Sequence, residues 1–154
     1  MSRAPMHPLF KLLIVAAILI GCYAGIKILL PYIRFADIKG KMQEAANNSV
    51  SETDESLCNK LAETALEDKL PIAGDYFYQV KDQQGRLSVL TPESDEQQKD
   101  YTKLAGDYFL KNIKRGQDRS VTITIDYNQE VYFPFNVYKH VIHFHHEEVQ
   151  QLPK

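Results

Sequence analysis

From Leu9 to Leu30 only Lys11 and Lys27 carry charge, in a run that reads LFKLLIVAAILIGCYAGIKILL. Its roughly 22 residues make a helix of about 33 Å, enough to cross a hydrocarbon core about 30 Å thick. Lys11 and Lys27 lie about 24 Å apart along that axis, near its two ends, where long stems lift ammonium groups to the headgroups. Pro8 suits a first helical turn, and Pro31 predicts a kink or break at the far interface, with Tyr32 at interfacial depth. Gly21 and Gly25 form a small-xxx-small pair, the spacing at which two membrane helices approach closely. A cleaved signal peptide is the alternative. The run is longer than a usual h-region, and AGIKILLPY offers no small-residue cleavage site, so an uncleaved anchor is expected.

Beyond the run the periods belong to a soluble fold. Ile33, Ala36, Met42 and Ala45 continue a helical pattern to about Asn48, weakened at Gly40 by about 1 kcal/mol relative to alanine. A second helix is expected from Ser51, with Asp54 as a capping signal, a face of Leu57, Leu61, Ala65 and Leu66, and a stop at Leu70-Pro71. Asp75–Lys81 and Leu87–Val89 read as strands about a turn at Asp82–Gly85. Ser94, with Gln97 in the capping-box position, opens a third helix. Its stripe is Tyr101, Leu104, Ala105, Tyr108 and Phe109, with Lys111, Lys114 and Arg115 in the last turns and Gly116 as terminator. Ser120–Phe133 is the strongest strand signal, with Val121, Ile123, Ile125, Tyr127, Val131 and Phe133 on one face. After a turn at Pro134–Asn136, a last strand runs from Val137 to about His145. The expected class is α+β: an N-terminal transmembrane helix, then a small domain of helices packed on an antiparallel sheet. The division is 1–31 for tail and anchor and 32–154 for the soluble domain.

Charge sharpens this division. Residues 1–31 carry +3 and residues 32–154 carry −5, within a total of 18 basic and 20 acidic side chains. A mildly acidic head excludes nucleic acid as the expected partner, since phosphates demand a basic face. Two cysteines do not make a disulfide scaffold; Cys22 falls in the span, and Cys58 reads as a small core residue. Lys27, Arg34, Lys39 and Lys41 outnumber Arg3 and Lys11, so positive-inside counting puts the second flank in the cytoplasm.

Candidate chemistry is sparse. His140, His143, His145 and His146 precede Glu147 and Glu148. On a strand His143 and His145 point one way, His140 and His146 the other. Two imidazoles at i, i+2 can share copper or zinc, with Glu147 or a residue of another strand as third ligand. The candidate metal set is therefore His143, His145, His140 and Glu147, weighed against a solvated strand end whose charge follows pH. No nucleophile–base pair, phosphate loop, dinucleotide fingerprint or HExxH helix occurs, so a catalytic role is not expected and no catalytic or cofactor-binding residue is assigned.

The exit Leu29-Leu30-Pro31-Tyr32, the stretch Val121–Tyr127, the segment Val131-Tyr132-Phe133-Pro134-Phe135-Asn136-Val137 and the pair His143-Phe144 carry a resemblance. With them the chain resembles an uncharacterised bacterial family of small pilin-like proteins with a single N-terminal span, a domain of unknown function. Relative to that family Thr91–Arg119 is an insertion. The resemblance implies a cytoplasmic N-terminus and a periplasmic head outside the inner membrane, against the basic count, and supplies no catalytic residues. Type IV pilins are similar in shape but carry a Gly-Phe-Thr-Leu-Ile-Glu processing site. Pro8–Leu13 has neither its glycine nor its glutamate, which argues against prepilin processing. The expected role is an accessory or assembly subunit of a membrane complex, in contact with lipid and with other membrane proteins or its own copies. Gly21 and Gly25, with the kink at Pro31, would set the contact in the span, and Tyr101, Tyr108 and Phe109 or an exposed edge strand that of the head. A pilin-like structural subunit and a metal-binding protein are the alternatives.

Overall fold

A computed structural model describes residues 8–72, 79–83, 85–133 and 138–151. Helix α1, Pro8–Asn48, is one uninterrupted element of 41 residues, about 60 Å long at 1.5 Å per residue. Of the kink or break expected at Pro31, the break does not occur. The ring removes one backbone hydrogen bond, but the helix continues on either side and Pro31 itself is buried. The two halves differ completely in environment. No residue of α1 before Pro31 is buried, whereas Ile38, Met42, Ala45 and Ala46 are. Ile33 and Ala36, expected on the packed face, are exposed. The burying stripe is set instead by Phe35, whose ring lies 4.6 Å from that of Phe144, and runs on through Ile38 and Met42.

Helix α2 spans Asp54–Glu67. Its N-cap is Thr53, two residues later than Ser51, and the Thr53 hydroxyl oxygen accepts from the Ser56 N–H at 3.3 Å. Leu57, Cys58, Leu61, Ala62 and Ala65 are buried. The C-terminus closes in a Schellman motif. The Leu70 N–H donates to the Ala65 carbonyl (2.8 Å), the Lys69 N–H donates to that of Leu66 (3.0 Å), and Lys69 has φ +53°.

Strands β1 (Gln79–Lys81) and β2 (Leu87–Val89) form a separate antiparallel pair. Asp75–Tyr78 of the expected first strand lies outside the described residues. The turn between them is the expected one, with Gly85 at φ +76° and its N–H on the Asp82 carbonyl. Helix α3, Asp95–Asn112, is capped as expected by Ser94, which accepts from the Gln97 N–H at 3.2 Å.

That helix stops earlier than its charge pattern suggests. Ile113–Arg115 is a strand, β3, so Lys114 and Arg115 do not lie in a last helical turn. β4 is Ser120–Tyr132 and β5 is Lys139–Gln151, and the sheet order is β3-β4-β5, antiparallel throughout. Gly116 opens the β3–β4 turn rather than ending a helix. A Cβ there would collide with the Asp118 carboxylate and the Ser120 hydroxyl. β5 outruns its expected end at His145 by six residues, because β4 offers thirteen partners in register, from Ser120↔Gln151 to Tyr132↔Lys139. The expected turn at Pro134–Asn136 and residue 137 lie outside the described residues.

Val121, Ile123, Ile125, Tyr127 and Val131 all turn to the buried face of β4, as the alternation predicts. The second half of α1 and helix α3 pack on that face, while α2 packs against both helices. The class is α+β with one long apolar helix. Arg115 ties the sheet edge to the α1–α2 turn by ion-pairing with Asp54 (2.5 Å) and donating to the Ser49 carbonyl (3.2 Å).

Candidate functional site

The first half of α1 leaves its apolar side chains exposed. It includes the most apolar 18-residue window, with mean hydropathy 2.4 and none of it buried, so the helix is long and apolar enough to cross a membrane. Leu9, Leu12, Ile20 and Ile26 are each about two-thirds exposed. Nothing lies within 4 Å of a Cβ placed at Gly21 or Gly25. The small pair therefore faces outward, where a second helix can reach it. Cys22 is exposed beside it.

The aromatic stripe of α3 serves the inside of the head. Phe109 is fully buried and so cannot meet a partner. Tyr101 and Tyr108 pack partly buried against the same core. The Tyr108 hydroxyl donates to the Asp126 carbonyl and accepts from the Asp126 N–H, both at 2.9 Å. β3 pairs with β4 only as far as Ile123. The hydroxyl thus replaces the missing strand at Asp126 and closes an edge that would otherwise be open. Of the expected head contacts, Tyr101 and Tyr108 are partly exposed and Phe109 is not.

The histidines divide by face as the alternation predicts. His143 and His145 lie on the outer, polar face of the sheet and converge on Asp126, which stands opposite His145 in the register. Asp126 Oδ2 is 3.1 Å from His145 Nδ1 and 3.6 Å from His143 Nε2. Asn128 Oδ1 holds the other nitrogen of His143 at 3.0 Å. His140 is not with them; it stacks on Tyr138 with ring centroids 6.3 Å apart. His146 lies edge-on to Phe35 on the core side, its Nε2 3.2 Å from Glu148. Glu147 shares the outer face but stands opposite Thr124. Among the described residues no group of three or more His, Cys, Asp or Glu side chains is placed to hold a metal ion, so the expected set is not assembled. Asp126, the true neighbour of both outer imidazoles, is not a member of that set; only the strand register identifies it.

Two further groups are tuned by burial. The Cys58 thiol is pushed up to about 11 by burial and by Asp54 and Glu55, which keeps it protonated and unreactive at neutral pH. Asp68 rises from 3.8 to about 6 because burial, the Asp37 charge and a hydrogen bond with Asp37 all favour its proton, against the pull of Arg34. No protein-family model, curated protein or solved structure matches the chain.

Proposed function

We propose that the chain is a non-enzymatic single-pass membrane protein, an accessory or assembly subunit whose α+β head and span bind other membrane proteins. One observation carries this reading. The exposed apolar half of α1 and the buried half that organises the head core belong to one continuous helix. A rod so built transmits the position of the head to the span and the reverse. Its lipid-depth surface offers Gly21 and Gly25 to a neighbouring helix. Following the resemblance, the head is assigned to the periplasmic side of a bacterial inner membrane. The full chain extracted in mild detergent is expected to come out with partner proteins or as an oligomer. A monodisperse monomer without companions contradicts the reading.

A pilin-like structural subunit is the second reading, favoured by the same long helix lying half free and half packed on an antiparallel sheet. Fibres on expression and removal of the residues before Leu9 would support it. An intact Met1 by mass spectrometry counts against it.

A further inference from the structure

Where α1 leaves the head, a groove of about 740 Å³ opens between the helix, the β1–β2 hairpin and the end of β4. Lys27, Pro31 and Arg34 line its helical wall, at spacings of four and three residues that put them on one face. The apolar run ends at Leu30, so this wall stands at headgroup depth when the run spans a bilayer.

The charges in the groove are unevenly satisfied. Its acidic groups have cations of their own: Asp82 holds Arg86 at 2.6 Å, and Glu130 holds Lys139 at 2.9 Å and the Tyr132 hydroxyl. Among the described residues, neither Lys27 nor Arg34 forms an ion pair. Lys27 rests over the Tyr23 ring at 5.7 Å, and Arg34 acts at a distance on Asp68 and Tyr127. The two cations lie about 10.5 Å apart along the axis, and their long side chains can reach one group between them. Pro31 adds an acceptor. It has no N–H for the Lys27 carbonyl four residues back, so that oxygen, in a residue that lines the groove, lacks its helical donor.

Two cations and a carbonyl acceptor at the membrane surface match a phosphodiester that carries a hydroxylated substituent. We propose that this groove binds the headgroup of an anionic phospholipid such as phosphatidylglycerol, with Lys27 and Arg34 on the phosphate and the Lys27 carbonyl on a glycerol hydroxyl. The bound lipid fixes the depth and rotation of α1, and hence the attitude of the head over the bilayer. This inference rests on the membrane reading above.

The test uses the full chain in phosphatidylcholine vesicles with and without phosphatidylglycerol, followed by flotation, mild extraction and native mass spectrometry. Wild type is expected to float with both vesicles and to retain phosphatidylglycerol in preference to phosphatidylcholine. Lys27→Gln/Arg34→Gln is expected to float equally and to lose roughly tenfold in lipid occupancy. Lys11→Gln, at the other end of the span, retains the lipid, and so does Lys27→Arg/Arg34→Lys, which keeps both charges. Equal retention by the glutamine pair, loss in the charge-conserving pair, or equal retention of phosphatidylcholine overturns the inference. Displacement of the lipid by glycerol phosphate alone assigns the site to a soluble phosphoester and overturns the lipid source. A chain that floats with neither vesicle overturns the membrane reading itself, a result distinct from all of these.

Discussion

Among the described residues, two non-glycines hold a backbone conformation that side chains resist. Lys69 at φ +53° closes α2, and Arg119 at φ +61° fills the turn position between β3 and β4 that Gly85 fills between β1 and β2. A left-handed residue without glycine stores strain of about 1 kcal/mol. Lys69→Gly and Arg119→Gly are each expected to raise stability by about 0.5–1 kcal/mol in denaturant titrations of the detergent-solubilised chain. Neither site was legible in the sequence, because lysine and arginine give no sign of such a turn. Asp68 was equally hidden, since only the fold brings it beside Asp37. A carboxyl that titrates higher folded than unfolded binds its proton more tightly when folded. Its contribution is therefore most favourable below the unfolded value of 3.8 and declines as pH rises to about 6. Asp68→Asn removes that decline. Relative to wild type, the variant is expected to gain about 1 kcal/mol between pH 4 and pH 7, a figure reduced for solvent screening. A constant difference across that range contradicts the assignment.

Elements with a strong period were readable in advance, and those defined by their neighbours were not. The alternation of β4 and the Ser94 cap needed no fold to be seen. The end of β5 did, because His146–Gln151 is polar and becomes a strand through the partners that β4 supplies. β3 was hidden behind a basic stretch that looks like a helix C-terminus. It is only three residues long, and that brevity gives Tyr108 its role. Tyr108→Phe keeps the ring in place and removes the only side-chain group that serves both Asp126 backbone atoms among the described residues. The expected cost is about 1–2 kcal/mol, read from a thermal or urea melt, with faster amide exchange at Asp126. Unchanged exchange there contradicts the edge-closing role. Phe109, on the same helix, illustrates the limit of a stripe read from sequence: its spacing announces a packed face and does not say whether the packing is internal.

At the scale of the molecule, the apolar run was the clearest feature of the sequence, and its relation to the head the least expected. Pro31 suggested a joint between anchor and domain. Instead α1 passes through it, and the stripe beginning at Phe35 seats the same helix on the sheet. The candidate groove could not be read in advance for the same reason. Its helical wall follows from the spacing of Lys27, Pro31 and Arg34, but its other walls come from the hairpin and the end of β4, 48 or more residues later. Anchor, head and groove all depend on whether this rod lies in lipid. The direct measurement is alkaline carbonate extraction of membranes from cells expressing the full chain with a tag after Lys154. The tag is predicted to sediment with the lipid, on a chain of full mass. Recovery of the head in the supernatant would contradict a membrane-spanning α1.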